Sequence, residues 1–164
     1  MILWREISMK KSNITLTEFL ILAKKNTYAG SNELSEFNFQ GDGKEFLYSI
    51  DRYKYRDCYY GYNPFIGEEI VWKNNKIYWA MNYYGTILDP NITPKSVYNF
   101  LKLALLAIPE EYPFRGPECV EAEILNYTNK FIGDINYFSG TEKIYQGARK
   151  IFELKYHGGL IKFK

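Results

Sequence analysis

The stretch FIGEEIVWKNNKIYWAMNYYGTI, residues 65–87, lies without a gap on FSGTEKIYQGARKIFELKYHGGL, residues 138–160. Phe65, Gly67, Glu69, Tyr83 and Gly85 recur as Phe138, Gly140, Glu142, Tyr156 and Gly158. Between them stand conservative pairs: Val71 with Ile144, Trp72 with Tyr145, Trp79 with Phe152, Met81 with Leu154. After a slip of one residue, Tyr55, Asp57, Tyr59 and Gly61 match Tyr127, Asn129, Phe131 and Gly133. Self-similarity over such a span is the mark of a repeated supersecondary unit. The chain reads as one domain over 1–164, made of two copies at about 15–88 and 93–162.

Each copy opens on a helix. Thr15 and Glu18 are spaced as a capping box before the apolar run Phe19-Leu20-Ile21-Leu22-Ala23. Thr93 and Pro94 mark the second start, and Val97, Phe100, Leu101, Ala104, Leu105 and Ile108 follow at helical spacing. Alternating runs rich in Tyr, Phe, Ile and Trp come next, predicting strands at 45–50, 53–60, 65–73 and 77–84, then 120–128, 134–137, 140–146 and 149–156. The fold class is α+β: a duplicated helix-plus-antiparallel-strands unit, its helices packed on one face of a curved antiparallel sheet.

The loop of the first hairpin decides which residues share a face. A two-residue loop at Asn74-Asn75 separates Val71 from Trp79. A three-residue loop over 74–76 pairs Val71 with Trp79, Glu69 with Met81 and Gly67 with Tyr83, and the repeat favours this register. Glu69 and Glu142 then lie on an apolar face, where a carboxylate needs a donor or a cation. Either each Glu is satisfied by a Tyr hydroxyl or backbone N–H and pins the fold, or one or both point into a cavity and fix a polar ligand. General acid/base work by a buried Glu is a further alternative. Arg115, in the stiff run Pro113-Phe114-Arg115-Gly116-Pro117, is the natural partner candidate for a buried Glu or an anionic ligand, with a solvent-exposed loop arginine as the alternative.

Composition removes several function classes. The chain has 164 residues, 46% hydrophobic and 24% charged, which is the make-up of a folded domain. With 21 Lys+Arg against 19 Asp+Glu, a net charge of +2 gives no electrostatic case for direct nucleic-acid binding. No apolar run reaches membrane-spanning length. The stretch 1–11 lacks the apolar region of a signal peptide, and Cys58 and Cys119 are far apart, so a cytoplasmic location with free thiols is expected. His157 is the single histidine, which leaves little to hold a transition metal, and no nucleotide or cofactor motif is present. Aromatic content is 18%, with 16 Tyr, 11 Phe and 3 Trp. The first hairpin, with Trp72, Tyr78, Tyr83 and Tyr84 on both of its sides, is expected to be buried on both.

The runs Tyr59-Tyr60-Gly61, Phe65-Ile66-Gly67-Glu68-Glu69-Ile70-Val71 and Met81-Asn82-Tyr83-Tyr84-Gly85, with Pro113–Pro117, Phe138-x-Gly140-x-Glu142 and Tyr156-His157-Gly158-Gly159, resemble an uncharacterised bacterial domain family. Its members resemble stand-alone domains or C-terminal partners of helix-turn-helix segments, a layout that implies effector sensing. The short stretch before the first helix does not accommodate a helix-turn-helix, so DNA binding is not carried over. The expected function is a non-enzymatic small-molecule or effector-binding module without a cofactor. Its aromatic-lined pocket would be formed by Glu69, Glu142, Arg115, Trp72, Trp79, Tyr83, Tyr156 and His157. The alternatives are an enzyme using a buried Glu, or an interaction module or homodimer whose contact face includes Tyr60 and Tyr62.

Overall fold

A computed structural model of the chain describes residues 14–30, 37–39 and 42–164. The stretch 1–11 lies outside the described residues. Among the described residues two helices, α1 (Leu16–Asn26) and α2 (Pro94–Leu106), accompany nine strands: β1 (Phe37–Phe39), β2 (Gly43–Ile50), β3 (Tyr53–Gly61), β4 (Phe65–Lys73), β5 (Lys76–Ile87), β6 (Cys119–Ala122), β7 (Leu125–Asp134), β8 (Tyr137–Gln146) and β9 (Arg149–Leu160). The strands form one antiparallel sheet in the order β1-β2-β3-β4-β5-β9-β8-β7-β6. Neither helix is long and apolar enough to cross a membrane. Both cysteines are free.

The helix signals act as written at α1, where the Thr15 hydroxyl accepts from the Glu18 N–H and the Glu18 carboxylate accepts from the Thr15 N–H. At α2, Pro94 takes the first turn, but the Thr93 side chain makes no capping bond. Helix α1 lies against β2, β3 and α2, while α2 reaches β7. Phe19 of α1 stacks on Tyr53 of β3 with centroids 4.9 Å apart.

The hairpin register is the expected one, reached by a different turn. Val71 faces Trp79, Glu69 faces Met81 and Gly67 faces Tyr83. The loop, however, has two residues: Asn74 and Asn75 both take positive φ, 52° and 61°, the backbone that suits Asn in a tight hairpin turn. Parity is restored by a bulge, since Trp72 pairs with Ile77 and Val71 with Trp79, leaving Tyr78 as the extra residue. The second hairpin has the same bulge, with Ile151 extra between the pairs Tyr145–Lys150 and Ile144–Phe152.

Three further expectations are corrected. The single strand over 120–128 is two, because Glu123 at φ 53° turns the chain between β6 and β7. The strand over 134–137 is a hairpin tip, with Asp134 of β7 paired to Tyr137 of β8. The first hairpin is buried on one face only: Val71, Trp79, Met81 and Tyr83 are enclosed, whereas Ile66, Asn82 and Tyr84 are exposed. Strand alternation puts those residues on opposite faces.

At the centre of the sheet Tyr83 of β5 stands opposite Tyr156 of β9. Each ring crosses a glycine of the adjoining strand: a Cβ added to Gly67 would overlap the Tyr83 hydroxyl, and one added to Gly140 the Tyr156 ring. Gly140→Ala is expected to cost about 2–3 kcal/mol by overpacking. Gly147→Ala, at a turn with φ 58° and open space around it, should cost only about 1 kcal/mol. Chemical denaturation of the two variants checks the difference.

Candidate functional site

The glycines let each central tyrosine lie flat across its neighbour strand and reach a polar residue on the next. The Tyr83 hydroxyl donates to Asp57 Oδ1 at 2.6 Å, and the Tyr156 hydroxyl donates to Asn129 Oδ1 at 2.9 Å. Asp57 pairs across the strands with Glu69, and Asn129 with Glu142. The two halves thus place the same four positions at the same registers: Tyr55, Asp57, Glu69 and Tyr83 in one, Tyr127, Asn129, Glu142 and Tyr156 in the other.

Two cations enter this layer. Arg115 Nε and Nη2 lie 2.9 and 2.8 Å from Glu142 Oε2, while the Tyr127 hydroxyl donates to Oε1. Arg115 Nη1 is 3.9 Å from Glu69 Oε1, and Lys24 of α1 pairs with Glu69 Oε2. All four ionic side chains are buried. Burial alone would lower the Arg115 guanidinium, but the Glu142 and Glu69 carboxylates outweigh it and hold the group firmly charged. Burial lowers the Lys24 ammonium, with Glu69 opposing the shift. The Tyr83 and Tyr127 hydroxyls are pushed up by burial and then by the carboxylates they meet.

Asp57 is the fifth charge of the cluster. Burial first, and the Glu69 carboxylate second, push it up to about 7, against the stabilising pull of Tyr83, Lys24 and Arg115. Its equivalent, Asn129, is neutral and donates to the Gly116 carbonyl at 2.8 Å.

Above Asp57 the structure opens into a cavity of about 290 Å³. Asp57, Tyr83 and Arg115 form its closed end, with the guanidinium 5.3 Å from the Tyr83 ring centroid. Tyr28, Phe46, Tyr59, Phe65, Tyr62 and Tyr98 supply aromatic walls, and Lys95, Asn99, Leu101 and Lys102 of α2 complete the lining. Tyr98 fixes the helix over the β3–β4 loop by donating to the Tyr62 carbonyl and packing its ring against Phe65, 5.8 Å between centroids. Among the described residues no group of His, Cys, Asp and Glu is arranged to hold a metal ion.

Of the residues the sequence singles out, Arg115 and Tyr83 line this cavity. Glu69 stands one layer behind, at a void of about 20 Å³ shared with Lys24, Asp57 and Arg115. Glu142 is fully enclosed by Arg115 and Tyr127 and lines no cavity described here. Trp79 is wholly buried and stacks 5.7 Å from Phe138, because its strand position faces the core. Trp72 is half-buried on the opposite face of the sheet. Tyr156 and His157 border a separate open depression on β7, β8 and β9. The sequence reading passed over Asp57, Lys24 and the α2 face Lys95, Tyr98, Asn99 and Lys102. Two signals pointed to all of these but Lys24: the Asp57–Asn129 difference inside an otherwise matched segment, and the helical spacing of those four residues beside the apolar stripe.

Residues 57–161 match a family whose description is "Domain of unknown function (DUF5680)". The chain belongs to this family. The DUF5680 span takes in both central tyrosines, Asp57, both buried glutamates, Arg115 and all of α2, while Lys24 of α1 lies before it. No curated protein and no solved structure matches the chain.

Two substitutions test the electrostatics of this DUF5680 layer. An acid whose folded pKa is raised binds its proton more tightly in the folded state, so stability falls as pH rises from its unfolded value near 4 towards 7 and is level above. Asp57→Asn should therefore stabilise the protein, by about 2–4 kcal/mol at pH 8 and by little at pH 4, in denaturation curves across that range. Arg115→Met leaves two buried carboxylates short of a cation and should cost about 3–5 kcal/mol at pH 7.

Proposed function

We propose that this chain is a cytoplasmic module that binds a small molecule in the cavity between α2 and strands β3 to β5. It would do so within a domain that arose by copying one helix-plus-strands unit, helices to one face of the sheet. One observation carries the reading: a cavity of about 290 Å³ walled by aromatic rings ends on three buried polar side chains, Asp57, Tyr83 and Arg115. Apolar walls around a few convergent polar groups are what small-molecule sites require, and this volume lies at the lower end of their range.

The matched halves support the assignment of roles. Glu69 and Glu142 each meet a buried cation, and Glu142 also accepts from the Tyr127 hydroxyl, so Asp57 and neither Glu is offered as the ligand-binding group. Asp57 differs: its second oxygen makes no hydrogen bond among the described residues, and it is the residue at the cavity floor. A carboxylate kept at a buried position where an amide serves the other half points to a use beyond folding.

Native mass spectrometry of protein purified from its own cells tests the proposal. A small-molecule adduct that is released on denaturation is expected. Asn99→Trp, at an exposed position on the cavity-facing side of α2, should fill the space and abolish the adduct while moving Tm by less than about 3 °C. Protein that carries no adduct, and whose cavity resonances respond to no member of a metabolite library, would overturn the reading.

A further inference from the structure

The small-molecule reading leaves the chemistry of the ligand open, and the distribution of charge around the cavity narrows it. At the closed end, Lys24 and Arg115 match Glu69 and Glu142 in number, and Asp57 adds a carboxylate that has no cation of its own. Its only hydrogen bond among the described residues is the one it accepts from Tyr83 on Oδ1. The site therefore lacks a cation or an N–H donor at Asp57. A ligand group of that kind would also relieve the burial and the Glu69 repulsion acting on it.

The α2 side of the cavity carries the opposite need. Lys95 and Lys102 lie two turns apart on the helix face that lines the cavity, with Tyr98 and Asn99 between them. Neither lysine is in an ion pair among the described residues, and the Lys102 ammonium lies 4.9 Å from the Tyr28 ring centroid. Between the two ends stand the rings of Phe46, Tyr59, Phe65 and Tyr98. A purely cationic ligand would satisfy Asp57 but pass two lysines. A purely anionic one would satisfy the lysines and face an unpaired carboxylate.

We propose that the cavity selects a zwitterion with a flat body: an ammonium or other N–H donor at Asp57, a planar apolar middle between the rings, and a carboxylate or phosphate at Lys95 and Lys102. This rests on the small-molecule reading of the same cavity and adds the polarity of what it holds.

Three probes separate the ends: 4-(aminomethyl)benzoate carries both charges, benzylamine the cation alone and 4-methylbenzoate the anion alone. In calorimetric titrations of the full chain at pH 8, the zwitterion should bind at least about tenfold more tightly than either half. Asp57→Asn, which recreates the Tyr156–Asn129 pair and so keeps the fold, should erase the advantage over 4-methylbenzoate. Lys95→Ala with Lys102→Ala, on the cavity-facing side of α2, should erase the advantage over benzylamine. Affinity for the zwitterion should fall below pH 7, where Asp57 takes up its proton in the company of Lys24, Tyr55, Glu69, Tyr83 and Arg115. Tightest binding by 4-methylbenzoate, or affinities blind to both sets of substitutions, would overturn the polarity while a bound probe upholds the cavity. If no probe binds, the polarity falls as well, and native mass spectrometry then decides the fate of the cavity reading.

Discussion

Arg115 bridges two strands that are not neighbours in the sheet. Its guanidinium stands between Glu142 of β8 and Glu69 of β4, strands from opposite halves of the sheet. Removing ions from water costs several kcal/mol each, and the cost is recovered only where every charge finds a partner in good geometry. Here one oxygen of Glu142 takes two N–H groups and the other a tyrosine hydroxyl, while Glu69 shares Arg115 with Lys24. The loop that carries Arg115 is held by packing as well, since Phe114 stacks on Phe138 with centroids 4.0 Å apart and planes within 5°. That fixed loop presents the guanidinium against Tyr83 and so shapes the cavity floor.

The paired tyrosines give this ionic layer its symmetry. Tyr83 and Tyr156 face each other across the junction of β5 and β9, and each leans away over a glycine towards its own half. A side chain at either glycine would push the ring off the strand and separate the hydroxyl from Asp57 or Asn129. The Phe-x-Gly-x-Glu spacing common to both halves is thus one device. Glycine admits the ring, and the glutamate two residues on accepts from the tyrosine that lies diagonally from it on the adjoining strand, Tyr55 or Tyr127.

Much of this was legible in the sequence because strand alternation and repetition constrain each other. The matched positions share parity, which selected the Val71–Trp79 register even though the turn reaches it through Asn74-Asn75 and a bulge. The bulge shifts the pairing by one residue, as a third loop residue would, so the pattern of faces survived an error in loop length. The apolar setting of Glu69 and Glu142 followed from the same parity, while the stiff run from Pro113 to Pro117 marked Arg115 as a candidate partner. What alternation could not reveal is depth: Trp79 and Tyr83 lie on one face, yet one stacks in the core and the other borders a cavity. Depth depends on where α1, α2 and the Arg115 loop sit over the sheet, and those placements are set by contacts distant in sequence. Lys24 is such a case, a lysine at a helix end whose role depends on the strand beneath it.

The difference between the halves accounts for the site better than any single residue. Tyr59 and Phe131 occupy equivalent places opposite Gly67 and Gly140. Phe131 is covered by Tyr112 and Phe114, 4.6 and 5.4 Å away, and Asn129 beside it is satisfied by the Gly116 carbonyl. The loop after α2 therefore covers this face of the second half. In the first half that surface is roofed by the edge of α2 instead, and Tyr59 and Asp57 face open volume. An amide suffices where backbone supplies an acceptor, whereas the carboxylate persists where the space in front of it is empty of protein. The aromatic richness of the chain divides along the same line. In the covered half the rings pack into the core, and in the uncovered half the same kinds of ring form the walls of a cavity.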